Sequence, residues 1–130
     1  MRMSRARLGA CDRGTTAIET AIVFPVFILM VLGVFEFGRA LWTQSALQYA
    51  VQLAARCGAV NVTTCASPSQ VISYAVTQSQ PLTVPSSDFN ASTQSCGSSV
   101  SVSYPFTFVV PQLLPFEITL SAQACYPTAT

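Results

Sequence analysis

The sequence predicts an α+β protein: a long N-terminal helix, with a transmembrane segment, that continues into a small domain whose antiparallel β-hairpin or sheet packs on the helix. Three observations carry this. Residues 15–58 hold a helical pattern with few breakers. Two later stretches alternate strictly between apolar and polar residues. Nine of the eleven charged residues lie between Arg2 and Arg56, which leaves the 74 residues from Cys57 onward with only Asp88 and Glu117. At 130 residues, with 51% hydrophobic and 8% charged, the chain fits one domain plus an anchoring segment, and its hydrophobicity excludes disorder.

Residues 1–14 form a short basic leader, with Arg2, Arg5, Arg7 and Arg13 against Asp12. The helix of residues 15–58 opens with an apolar run bounded by Glu19 and Glu36. Counted from Ala17 to Phe37 it is 21 residues, enough at about 1.5 Å per residue to cross a hydrocarbon core of about 30 Å. Arginines precede the span and an almost uncharged domain follows, so the leader is expected in the cytoplasm and the C-terminal domain outside. Trp42 then falls near the outer interface. A secretory signal peptide is the competing reading, with Gly38-Arg39-Ala40 as a small-x-small cleavage site. Against it, Leu47, Ala50, Val51 and Ala54 continue the helix at i, i+3, i+4 and i+7, and a cut at Ala40 severs it.

The external domain, residues 59–130, begins where Gly58 is expected to end the helix in the left-handed conformation. Ser67-Pro68-Ser69-Gln70 reads as a Ser cap, a Pro at the first helical position and a Gln at the third; Val71, Ile72, Ala75 and Val76 give that second helix an apolar face, and Pro81 ends it. Val100, Val102, Tyr104, Phe106, Phe108 and Val110 then point one way while Ser101, Ser103, Pro105 and Thr107 point the other, and Phe116, Ile118, Leu120, Ala122 and Ala124 alternate with Glu117, Thr119, Ser121 and Gln123. Joined through Pro111-Gln112-Leu113-Leu114-Pro115, the two strands should form an antiparallel hairpin whose apolar face packs on the outer half of the long helix. Pro105 argues for an edge strand or a bulge. Leu113 and Leu114 at the tip either fold back on the core or meet the membrane surface or a partner.

The composition excludes whole classes of function. There is no histidine, which removes Ser/His/Asp and Cys/His catalysis and most catalytic zinc sites. A net charge of +1 without a basic stripe gives no reason to expect nucleic-acid binding. Asp88 and Glu117 form an acid pair only if the fold joins them, which nothing in the sequence does. No cofactor, metal or small-molecule substrate is expected, and no enzymatic activity. Asn61-Val62-Thr63 and Asn90-Ala91-Ser92 match the glycosylation sequon, but the pattern is short and both read as loop residues.

Glu19 is the most informative position. A carboxylate two positions inside an apolar run costs about 2.5–3.5 kcal/mol at bilayer depth, so it sits near an interface or is paired. The plainer reading is a first-turn carboxylate favoured by the helix dipole. The sharper one follows from Gly14: a cut after it makes Thr15 the N-terminus and Glu19 the fifth residue. A basic leader, a Gly, four residues, a Glu and a long apolar helix is the pattern of type IV prepilins. The wider run Gly14-xxxx-Glu19-x-Ala21-xxx-Pro25-xxx-Leu29, followed by Gly33 and Gly38, closely resembles the TadE-like family, pseudopilins of the tight-adherence (Flp) type IV pilus machinery. The resemblance covers about residues 13–42, and TadF and TadG-like relatives are its near neighbours.

The resemblance implies cleavage between Gly14 and Thr15 by a prepilin peptidase on the cytoplasmic face. It implies a mature minor pilin that acts in pilus assembly with other pilin and pseudopilin subunits, in cell adhesion, with Glu19 pairing to the Thr15 amine of a neighbouring subunit. Pro25 removes the hydrogen bond to the Ala21 carbonyl and should kink or loosen the helix, either as mere tolerance or as a device for leaving the bilayer. The alternative is a single-pass anchored binding or adhesion domain that never enters a filament.

The same cut accounts for the cysteines. Cys11 leaves with the leader, and Cys57, Cys65, Cys96 and Cys125 remain, an even number on the oxidising side. Their spacings contain no Cys-x-x-Cys, which speaks against zinc. Four cysteines allow three pairings. The favoured one joins Cys57 to Cys65, closing the turn after the long helix, and Cys96 to Cys125, tying the hairpin to its preceding loop.

Overall fold

The computed structural model describes residues 13–109 and 117–128, with residues 13 and 15 through their backbone alone. Most of the leader, Val110, Phe116 and the Leu113–Leu114 connection therefore lie outside the described residues. The elements follow in the order α1 (Arg13–Val60), α2 (Pro68–Gln78), a 3-10 turn (Ser86–Asp88), β1 (Phe89–Gln94), β2 (Gly97–Phe106) and β3 (Ile118–Tyr126). The fold is α+β, as expected, with an antiparallel sheet of three strands in the order β1-β2-β3. The chain divides into two compact units, one ending at Phe35 and the other comprising Glu36–Thr130.

In the first unit α1 runs through Pro25 without a break, and its apolar side chains, from Ile18 through Phe35, are exposed. Among the described residues one helix, Thr16–Val60, is long and apolar enough to cross a membrane, and none of its most apolar window is buried. A helix that is apolar on all sides has the composition of a membrane span or of a helix enclosed in a larger protein assembly.

In the second unit the helical spacing closes a core. Leu47, Ala50, Val51 and Ala54 are fully buried. Leu47, Val51 and Ala54 share one cluster with Val71 and Ala75 of α2, Phe89 of β1, Val100 and Val102 of β2, and Ala122 of β3. Burial of side chains such as Leu47 and Val51 contributes about 1.5–3 kcal/mol each. α1 also covers an edge of the sheet. Gln44 and Gln48 donate from Nε2 to the carbonyls of Ser121 (2.7 Å) and Gln123 (3.3 Å) on the outer strand β3. The spacings match: four residues of helix rise about 6 Å, close to the 6.6–6.8 Å between alternate residues of a strand.

Four expectations change. Gly58 does not end α1; the helix continues to Val60, and the only glycine with positive φ among the described residues is Gly97. A Cβ at Gly58 would lie 2.5 Å from Ser98 Oγ and 3.1 Å from Val71 Cγ2, so glycine lets those two side chains approach the helix closely. The turn is made instead by Asn61, whose Oδ1 accepts from the backbone N–H groups of Thr63 and Thr64 (both 3.1 Å).

The hairpin gains a third strand, β1, paired with β2 from Phe89↔Val102 to Gln94↔Gly97. Its sequence, Phe-Asn-Ala-Ser-Thr-Gln, buries only Phe89 and half-buries Ala91, which leaves no apolar alternation to read. Asn90-Ala91-Ser92 accordingly lies in a strand and not a loop. β2 starts before Val100 and ends at Phe106, leaving Phe108 outside it. β2 is also the central strand, yet β1 pairs only as far as Val102, so at Pro105 it has β3 on one side and no strand on the other. The missing N–H of Pro105 thus falls on a local edge.

α2 forms where the Ser67 signal places it, with a complete capping box: Gln70 N–H donates to Ser67 Oγ and the Ser67 N–H to Gln70 Oε1. Val71 and Ala75 are buried, and the helix stops at Gln78, before Pro81.

Candidate processing and assembly site

Gly14, Thr15 and Glu19 all lie on the first two turns of α1. A Cβ added to Gly14 would meet nothing within 4 Å, and φ there is not positive. Glycine in a helix costs about 0.5–1 kcal/mol relative to alanine, and among the described residues nothing packs closely enough to require it at Gly14, Gly33 or Gly38. Among the described residues α1 begins at Arg13, six positions before Glu19.

Glu19 is exposed on the side of α1 that also carries Thr20, Val23, Phe24 and Phe27 along a shallow open groove. Thr20 Oγ1 donates back to the Thr16 carbonyl (2.8 Å) and so turns its polarity inward along the helix. Glu19 has no ion pair among the described residues. An unpaired carboxylate one turn from Val23 and Phe24 is a costly group waiting for a cation if the helix is in lipid.

The other carboxylate of the apolar run is handled differently. Glu36 is buried, its side chain 8% exposed, and pairs with Arg39 one turn on, Nη1 reaching Oε1 at 3.1 Å and Oε2 at 2.9 Å. Val109 N–H donates to Glu36 Oε1 (3.3 Å), and Arg39 Nη2 donates to the Thr107 carbonyl (3.4 Å). The guanidinium lies 5.0 Å from the ring centroid of Phe106, which meets Phe108 edge-on at 5.4 Å. Sequence reading uses Glu36 only to bound the span. The opposite charges at i and i+3 are the signal that finds its partner; the Thr107–Val109 contacts have no sequence signal.

Two disulfides join Cys57 to Cys65 and Cys96 to Cys125, the pairing favoured among the three. Cys96 sits in the two-residue turn between β1 and β2, next to Gly97, whose φ is +121° and whose missing Cβ would run into the Tyr126 carbonyl oxygen. The second bridge thus fastens the tight end of one hairpin to the last residues of β3. Among the described residues no three His, Cys, Asp or Glu side chains gather as metal ligands.

A family model described as TadE-like protein matches residues 14–56. The match begins at Gly14 and ends just before Cys57, so it takes in Gly14, Glu19, Pro25 and the Glu36–Arg39 pair and none of the bridged cysteines. Over that stretch the chain is similar to TadE-like proteins. No curated protein and no solved structure matches it.

Proposed function

We propose that this chain is a membrane-anchored pseudopilin, a TadE-like minor pilin that takes part in assembling a tight-adherence (Flp) type IV pilus once a prepilin peptidase has removed residues 1–14. The observation that carries the reading is the pair formed by Gly14 and Glu19. Gly14 is a helical glycine with open space around it among the described residues, which a peptidase cleft can require. Glu19 is an exposed carboxylate without an ion pair among the described residues, at the head of an exposed apolar helix. Cleavage after Gly14 creates the missing cation, the Thr15 amine, and a neighbouring subunit brings it to Glu19.

The two disulfides support an extracytoplasmic domain, and the arginine-rich leader supports a cytoplasmic N-terminus. The partners are the peptidase, other pilin and pseudopilin subunits, the assembly machinery and the membrane. Sequencing the N-terminus of the protein made alongside the peptidase tests the reading, and Thr15 is the expected first residue. Gly14→Val should retain the leader and keep the mass of all fourteen leader residues. Wild type that stays whole in the presence of the peptidase, or that begins at Leu41, contradicts the proposal and favours a plain anchored domain or a secreted one.

A further inference from the structure

The surroundings of the Glu36–Arg39 pair point to a lipid surface. An ion pair in water gains little from being enclosed. Here the carboxylate is enclosed by protein and the guanidinium partly so: Val109 N–H and the Thr107 carbonyl take the pair's hydrogen bonds and the Phe106 ring lies against the guanidinium. The large residues turned outward nearby are apolar, beside exposed Gly38 and Thr107. Phe37 is 66% exposed, Leu41 and Trp42 53% each, and Val109, whose N–H holds Glu36, 65%. The exposed residues that follow on α1 are Ser45, Tyr49, Gln52, Arg56 and Val60, so polar side chains replace the continuous apolar surface after Trp42.

The length of the helix gives the depth. Ala17 to Trp42 spans about 39 Å at 1.5 Å per residue, longer than a hydrocarbon core of about 30 Å and close to the 40–45 Å that includes both headgroup layers. With the start of the apolar run at the inner face, Phe37 reaches the outer edge of the core and Trp42 the headgroups.

We propose that Phe37, Leu41, Trp42 and Val109 form a seat by which the external domain rests in the headgroup layer of the outer leaflet, and that the Thr107–Val109 segment shields the Glu36–Arg39 pair from that medium. The seat is a contact with lipid additional to the span, and it rests on the membrane-anchored reading. It gives the pair a purpose: a carboxylate at the end of the span is carried to interfacial depth with its hydrogen bonds supplied by its own domain.

Trp42 is the only tryptophan, so the native chain reports on itself. The full chain is reconstituted in phosphatidylethanolamine–phosphatidylglycerol vesicles and floated. Its emission is then quenched by lipids brominated near the headgroup, by lipids brominated deep in the acyl chain, and by aqueous acrylamide. The expected result is co-flotation, stronger quenching by the shallow bromines than the deep ones, and acrylamide quenching severalfold weaker than for free indole. Trp42→Phe, Val109→Trp should show the same ordering, with its bridged cysteines still unreactive as the check that it folds.

Co-flotation with full acrylamide quenching overturns the seat while leaving the anchor intact. Protection from acrylamide with silent bromines overturns it in favour of a second copy of the chain covering the patch. Stronger quenching by deep bromines overturns it by putting the ring in the core. Water-exposed emission from the folded double variant overturns the domain's share of the seat. Failure to float removes the anchored reading and the seat together.

Discussion

Glu19 and Glu36 are the same residue type in one apolar helix, and their surroundings assign them opposite tasks. Glu36 has its partners within the domain, whereas Glu19 has no ion pair among the described residues. If Glu19 pairs with the Thr15 amine of a neighbour, Glu19→Gln leaves a buried amine unpaired at about 3–5 kcal/mol per interface and stops assembly. A dipole role risks at most about 0.3–1 kcal/mol. The variant should be cleaved, insert and form its disulfides, yet fail to co-purify with other pilus subunits. Normal association of a cleaved variant, with cleavage checked by mass in the same sample, would end the intersubunit role. At Glu36 the asymmetry of burial decides: its side chain is 8% exposed against 36% for Arg39. Arg39→Ala strands the buried member and should cost about 3 kcal/mol. Glu36→Gln keeps a hydrogen-bond acceptor and should cost about 1–2 kcal/mol. Denaturant midpoints of the detergent-solubilised protein should rank the two in that order. What sequence could say of such residues stopped at spacing. Gly58 reads as a helix stop because glycine commonly serves there, while its actual reason, Ser98 and Val71 pressing on the helix, is a tertiary contact.

Among the elements, α2 and the two alternating strands β2 and β3 were legible, and the edge strand β1 was not. α2 follows from Ser67, Pro68 and Gln70 alone, because the capping box satisfies donors within one turn. Ser67→Ala should therefore lower stability by about 1 kcal/mol, read as a drop in Tm, and leave the two disulfides in place. No change in Tm would mean that packing of Val71 and Ala75 alone holds the helix. β1 could not be found, because it is an edge strand with a single fully buried side chain, and its place is fixed by the two-residue turn to β2. Pro105 was readable as an edge residue but not as one in the central strand, since that depends on where β1 stops pairing. The two glutamines of α1 that bond β3 show the same limit: Gln44 and Gln48 look like solvent-facing helix residues until a strand edge supplies the carbonyls.

For the whole molecule the α+β plan was legible because the chain separates its tasks by composition: apolar length first, amphipathic helix next, uncharged alternating strands last. A small core buries too little to be secure unaided, which is where covalent bridges matter most. The Cys96–Cys125 bridge spans 29 residues and the Cys57–Cys65 bridge 8. Chain-entropy arguments give about 3.6 and about 2.5 kcal/mol for closing loops of those lengths. Replacing both cysteines of a bridge with serine should then destabilise by about 1 kcal/mol more for the longer loop. Equal losses, or a larger loss from the shorter loop, would mean that native-state packing around α1 outweighs the loop entropy. The same thiols give a census of processing. Uncleaved chain carries Cys11 in addition to the four bridged cysteines, so non-reducing alkylation should label one thiol in the precursor and none in the product that begins at Thr15. A product of leader-free mass that still takes up label would show a bridge left open, and a precursor that takes up none would show Cys11 already in a disulfide. The predicted pattern, one thiol before cleavage and none after, requires loss of Cys11 and both bridges together, and the mass of the product separates a cut at Gly14 from one before Leu41.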